Sequence, residues 1–283
     1  MSKVGFIGLG WMGLGMCKCL ARQDNELAIY DILEKPMDEI EEYSKNYPSK
    51  VLKCKTIKEV AENSDYVCVC VRDEPQHRSV IAGDDGLIKN MKEGSYIIIH
   101  GTLSPQFVRE MHSLGKEYNI NVIDGPMTGQ KREEGQITVM VGSTEEEFKV
   151  IEPIIKPMGK IIHCGNIGAG EVTKLVNNIM ASVNLLACTE ALIYGVSAGV
   201  KEEVLLEQAR NPLSAGNSFA VNAWSAMKQM KQIYKDTNAG PAALMYKDLS
   251  IVLDSADEMG IDLPITKLAL TQDIGKLPED YIK

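Results

Sequence analysis

The chain has 283 residues, 45% hydrophobic and 24% charged, the balance of an ordinary globular protein long enough for two domains. A net charge of −9, a pI near 5.1 and the lack of any basic stripe argue against nucleic-acid binding, which needs clustered lysine and arginine. The N-terminus enters a strand-like run without a basic leader, and apolar runs such as 66–71 and 96–99 are strand length; the expectation is a cytoplasmic protein that does not span a membrane.

Residues 3–7 read as a strand, 12–22 as a helix and 27–30 as a second strand ending at Asp31. Further strand signals fall at 66–71, 96–99, 121–123, 137–141 and 160–163, with helical patterns at 57–62, 105–118 and 145–155 between them. This alternation predicts a parallel sheet covered by helices on both faces, and the closely spaced later strands could make an antiparallel edge. After Gly170 the strand patterns stop. Helical periodicity runs through 172–199, 201–208, 218–232, 241–259 and 264–275. The expected architecture is α/β: a Rossmann-type doubly wound sheet over 1–165, then an all-helical substrate and oligomerisation domain over 166–283.

Seven cysteines and four scattered histidines (His77, His100, His112, His163) form no Cys-x-x-Cys pair or ligand cluster. No metal site or disulfide framework is expected, and the thiols read as inert and half-buried.

Gly8, Leu9, Gly10, Trp11, Met12 and Gly13 follow the first strand directly and open a helix. In that context the first glycine permits a tight turn, the second lets the backbone approach a pyrophosphate, and the third allows close helix–strand packing. The helix start then offers free N–H groups and a positive dipole to the anion. Gly15 adds room in the first turn. Asp31, at the end of the second strand, can accept hydrogen bonds from a ribose 2′-OH and would repel a 2′-phosphate, so NAD is expected over NADP.

Between residues 172 and 199 nearly every position is apolar or small, and only Lys174 and Glu190 carry charge. A helix apolar on most sides is expected inside a domain. Lys174 and Asn178, four apart, share one face. A buried ammonium is costly unless paired or functional, and burial lowers a lysine pKa toward the range proton transfer needs. Taken alone, the segment admits either a catalytic lysine or a surface lysine whose stem lies over apolar neighbours.

In this order the motifs resemble the β-hydroxyacid dehydrogenase family, whose members include 3-hydroxyisobutyrate dehydrogenase, and the likeness spans almost the whole chain. Phe6-Ile-Gly-Leu-Gly-Trp-Met-Gly13 is similar to the family's glycine fingerprint. Ile97-Ile-Ile-His-Gly-Thr102 resembles the strand end whose Ser-Thr pair lies beside the nicotinamide ribose; Gly101 replaces the serine, so only Thr102 is carried over. Val71 and Arg72 stand where the family has Leu-Pro next to the cofactor. Asp124-Gly-Pro-Met-Thr-Gly-Gln130 is similar to the block that holds the substrate carboxylate, which implies substrate binding by Thr128, Gly129 and Gln130. Gln130 departs from the family's second glycine, and Lys131 and Arg132 replace small residues. Those two read as exposed loop charges, the alternative being that one of them meets a second polar group on the substrate. Gly168-x-Gly170-x-x-x-Lys174-x-x-Asn177-Asn178 matches the motif whose lysine moves the proton, and Lys247-Asp248-Leu249 resembles a signature whose lysine reaches the cofactor.

The resemblance implies an NAD-dependent oxidoreductase that interconverts a small β-hydroxy acid, of 3-hydroxyisobutyrate type, with its semialdehyde. Lys174 would be the general acid/base and Asn178 would help bind the substrate, a small carboxylate. A reductase of another aldehyde acid (tartronate semialdehyde, sulfolactaldehyde), a cyclic-imine reductase and a non-catalytic cofactor-binding module remain alternatives. Segment 214–224 is expected to shape the pocket, and the apolar helix suggests a homodimer or homotetramer. The tail after Gly275 is shorter than the resemblance predicts.

Overall fold

A computed structural model describes residues 1–210 and 241–272. The expected helix at 218–232, the segment 214–224 and the tail after Gly275 lie outside the described residues. By its internal contacts the chain divides into Met1–Lys174 and Leu175–Lys283.

The first unit is built on nine strands: β1 (Ser2–Ile7), β2 (Asn25–Tyr30), β3 (Lys50–Lys53), β4 (Tyr66–Val69), β5 (Tyr96–Ile99), β6 (Asn121–Asp124), β7 (Met127–Thr128), β8 (Ile137–Gly142) and β9 (Gly159–Gly165). Their order is β3-β2-β1-β4-β5-β6-β8-β7, with β9 on β8. From β3 to β6 every pairing is parallel. The expected antiparallel edge is present: β8 runs antiparallel to β6 and β7, and parallel to β9.

Strand alternation sends successive side chains to opposite faces, and both faces are apolar, as a sheet covered on two sides requires. Val4, Phe6, Leu27, Ile29, Cys68, Ile98 and Ile123 pack on one side with α1 (Trp11–Ala21) and α7 (Glu145–Ile155). Ile7, Ala28, Val67, Val69, Ile97, Ile99 and Val122 pack on the other with α3 (Ile57–Glu62), α4 (Glu74–Ala82), α5 (Leu87–Asn90) and α6 (Pro105–Glu117). α2 (Glu34–Ser44) closes the β2–β3 connection. Each such buried aliphatic side chain contributes about 1.5–3 kcal/mol.

Local signals set the helix starts. Thr56 accepts from the Glu59 N–H, Asp73 from Gln76 and Ser104 from Phe107. Thr144 and Glu147 form a reciprocal capping box. Elements that the periodicity did not predict are α2, β3, α4, α5 and the two-residue β7.

The second unit is helical in its described residues: α8 (Ala169–Ser197), which begins in the first unit, then α9 (Glu202–Ala209), α10 (Pro241–Glu258) and α11 (Pro264–Leu270). Leu185, Leu192, Leu249 and Ala269 form its small buried cluster. Here the structure corrects an expectation. α8 is not a buried helix: Met180 is 54% exposed, Tyr194 78%, and only 17% of its most apolar window is buried. By length and composition it could also cross a membrane, which the strand-length runs chosen from the sequence overlooked.

Candidate active site

In an open α/β sheet ligands bind beyond the carboxyl ends of the strands, where the strand order reverses. Here that point lies between β1 and β4, the two strands flanking the glycine-rich turn. Gly8 has φ +90°, and a Cβ there would stand 2.4 Å from the Cys70 carbonyl oxygen and 3.0 Å from Val71 Cγ1. A Cβ on Gly13 would fall 1.9 Å from the Gly8 oxygen. Gly10 has nothing within 4 Å of its Cβ position, so the outer side of the turn stays open. α1 starts on Gly10 with no side-chain cap and no acidic residue in its first turn. That arrangement fits a dinucleotide pyrophosphate, an anion that takes the place of a cap.

Asp31 joins the turn from β2. Its carboxylate accepts from the Leu9 N–H at 2.6 Å and the Leu33 N–H at 2.8 Å, and the remaining lone pairs can still take a ribose hydroxyl. Leu9 is buried, Met12 half-buried, and Trp11 51% exposed. Val71 is half-buried against Gly8, while Arg72 is exposed and its N–H is held by Gln76 Oε1 at 3.1 Å.

Thr102 follows β5 and is half-buried; its neighbours Gly101 and Leu103 meet the buried His77 and Glu171. His100 donates from Nδ1 to the Gly125 carbonyl at 2.6 Å, in the tautomer that bond requires. Burial lowers its pKa to about 4; the bond to Gly125 opposes that shift and nearby His77 adds to it. The Gly101 substitution has a physical cause: a Cβ there would stand 2.4 Å from His77 Cε1. Next in line, the Leu103 N–H donates to Glu171 Oε2 at 3.2 Å.

Asp124, fully buried at the end of β6, accepts from the Gly168 N–H at 2.8 Å and the Glu171 N–H at 2.9 Å. It thereby caps α8 from a neighbouring strand. Burial raises its pKa to about 6 against the pull of those N–H groups. The fit needs bare backbone: a Cβ at Gly142 would stand 2.4 Å from its Oδ1, and one at Gly170 2.8 Å from its Oδ2. Four residues beyond Asp124, Thr128 is half-buried on β7 and paired with Thr138. Gly129 follows at φ +123° and Gln130 is exposed. Lys131 is exposed as expected. Arg132 is not: it is half-buried with its guanidinium over the Trp11 ring, a second correction.

Lys174 lies half-buried one turn after Glu171, and the first unit ends on it. Asn178, one helical turn further, belongs to the second unit. Its Nδ2 donates to Asp248 Oδ2 at 2.7 Å and its Oδ1 accepts from Asn177 at 3.1 Å. Lys247 pairs with Asp248 Oδ1 at 2.9 Å, so this signature forms one polar cluster with Asn178. Sequence reasoning passed over His77, Glu171 and the anchoring role of Asp124. The glycine in place of serine at 101 was the visible signal for His77, and a lone aspartate closing an apolar strand was the signal for Asp124.

Residues 3–168 match the family described as the NAD binding domain of 6-phosphogluconate dehydrogenase. Residues 168–272 match the one described as NAD-binding of NADP-dependent 3-hydroxyisobutyrate dehydrogenase. The chain is 31% identical to 2-(hydroxymethyl)glutarate dehydrogenase of Eubacterium barkeri, over 94% of this chain and 86% of that one. It belongs to the β-hydroxyacid dehydrogenase family. This dehydrogenase is also 32% identical to 2-hydroxy-3-oxopropionate reductase of Escherichia coli K12, over 93% and 87% of the two chains. Its fold is that of a 3-hydroxyisobutyrate dehydrogenase from Salmonella typhimurium: TM-score 0.81, 24% identity, 95% and 92% of the chains covered. It is thus an NAD-dependent enzyme of CH–OH donors, with NADP use open to the family, and it acts on a small molecule.

Proposed function

We propose that the protein interconverts a small β-hydroxy acid of 3-hydroxyisobutyrate type and its semialdehyde, with Lys174 as general acid/base. One observation carries this reading: Asp124 fastens the start of the lysine-bearing helix to the strand end that leads, four residues on, to Thr128 and Gly129. On this reading the proton-transfer group and the carboxylate seat would share one buried anchor. The names of the two curated relatives share a carboxylate and an oxygenated carbon one atom away from the carbon that bears it, which supports the same substrate class.

Gly8, Leu9, Gly10, Trp11, Met12, Gly13 and Asp31 would hold the phosphates and adenine-side ribose, with Val71, Arg72, Thr102 and Lys247 on the rest of the dinucleotide. Bound NAD supplies the hydride acceptor, or NADH the donor. The Thr128 hydroxyl and the Gly129 N–H bind the substrate carboxylate, helped by Gln130, and so fix the reacting carbon. Lys174 Nζ removes the hydroxyl proton in oxidation and returns it to the carbonyl oxygen in reduction. Asn178 keeps one amide hydrogen beyond its bond to Asp248, enough for a substrate oxygen.

The test is Lys174→Ala in an NAD-linked screen of 3-hydroxyisobutyrate, glycerate, tartronate semialdehyde and 4-hydroxybutyrate. The expected loss is about 100-fold or more in kcat with NAD affinity kept. Retention of more than about a tenth of kcat would refute the lysine's role. Absence of turnover on every acid would refute the substrate class. The exposed apolar residues of α8 support a homodimer or homotetramer, and a monomer by light scattering at micromolar concentration overturns that. The cellular reading is cytoplasmic.

A further inference from the structure

The loop that follows Thr128 and Gly129 lies over α1, the helix that the glycine-rich turn opens. The Arg132 guanidinium carbon lies 3.7 Å from the centroid of the Trp11 ring, and its Nη1 donates to the loop's own Gln130 carbonyl at 3.1 Å. Such a stacked guanidinium is held flat and loses little further freedom on binding. The loop is tied to α1 beneath it. Cys19 Sγ donates to the Arg132 carbonyl at 3.1 Å, Arg22 to the Glu133 carbonyl, and Lys18 Nζ pairs with Glu133 at 3.2 Å. The stem of Arg132 crosses the helix where there is no side chain: a Cβ on Gly15 would stand 2.4 Å from its Cγ. Gly15 therefore serves this arginine rather than the turn itself.

Trp11 is the first residue of α1. A cation held on the side chain of a helix's first residue has the wrong sign for the dipole at that end, and the anion expected there reconciles the two. We propose that Arg132 is a cofactor-binding residue. Its guanidinium is a second wall of the pyrophosphate seat, opposite the uncapped N–H groups of α1, and Trp11 is the rail that holds it in place. The arrangement rests on the NAD-binding character of the family and is independent of which hydroxy acid is used. It also makes the loop bifunctional, with Thr128–Gly129 for the substrate and Arg132 for the cofactor.

The probe is ADP-ribose, which carries the pyrophosphate without the nicotinamide. Its Kd is measured by calorimetry at low and high salt for the wild type, Arg132→Ala, Arg132→Lys and Trp11→Ala. The expected result is a rise of about tenfold or more for Arg132→Ala with a weaker salt dependence, partial recovery in Arg132→Lys and an intermediate loss in Trp11→Ala. Thermal denaturation of each variant separates this from loosening of the loop, because Arg132→Lys keeps the stem over Gly15. An ADP-ribose Kd within twofold of wild type in Arg132→Ala overturns the proposal. So does selective loss of a dicarboxylic substrate, against 3-hydroxyisobutyrate, at unchanged ADP-ribose affinity, since that places the guanidinium on the substrate's second acid group.

Discussion

Replacing His100 by Asn should shrink the wild type's stability advantage over the variant by about 3 kcal/mol as the pH falls from 7 to 4. The figure follows from the pKa of the folded state, about 4, against 6.5 for a free histidine. A histidine depressed in the fold contributes stability that is complete above about 6.5 and is lost as the pH falls through about 4. Asn at 100 keeps a donor near the Nδ1 position, toward the Gly125 carbonyl, and removes only the titration. The difference between the two proteins is the quantity to read, because Asp124 works the other way. Its raised pKa, about 6 against 3.8, contributes stability below about 4 that is lost as the pH rises through about 6. That term is common to both proteins and cancels. Urea titrations at pH 7, 5.5 and 4 with a shared m-value provide the measurement. Equal pH slopes for wild type and His100→Asn would show that the imidazole is not held neutral by burial, and the reasoning would fail.

Three further outcomes follow from close contacts and burial. Gly13→Ala drives a methyl group to 1.9 Å from the Gly8 oxygen; overpacking of about 1–3 kcal/mol and a weaker NAD Kd are expected, and an unchanged melting temperature would refute the packing argument. Gly101→Ser, the family's usual residue, should destabilise this chain because its Cβ meets the buried His77 ring, and His77→Ala should relieve it; additivity of the two changes, rather than a coupling of about 0.5–3 kcal/mol, would sink that explanation. Burial pushes the Cys54 and Cys70 thiols up to about 12, so native protein at pH 7.5 should alkylate at these positions far more slowly than unfolded protein, as peptide mapping after iodoacetamide would report.

The sheet was legible because its strands are apolar on both faces and fall between glycine or cap signals. β5, α3 and α7 have the bounds that periodicity predicts. Elements without that signature escaped. β3 is Lys-Val-Leu-Lys, an edge strand that exists because β2 offers it a partner. α4 is too polar for its period to show, although Asp73 and the proline in its first turn marked its start. The glycine fingerprint was readable because local backbone geometry dictates it. Arg132 was not, because whether a loop charge faces water or an indole 121 residues away depends on how the loop is tied down. The exposure of α8 was hidden for a related reason. An apolar composition predicts that a helix will be covered, but does not say how much of it its own unit covers.

Asp124 has a bearing on how this chain can be cut. The two matched segments meet at residue 168, and the contact partition falls after Lys174, inside a helix rather than in a linker. A fragment ending before Gly168 would strip the Asp124 carboxylate of its donors at Gly168 and Glu171 and of the helix start that covers it, opening the end of β6 to water. The nucleotide-binding half is therefore not a detachable cassette at its sequence border. A cut that preserves these bonds falls beyond the first turn of α8, and Lys174 stays close to that boundary.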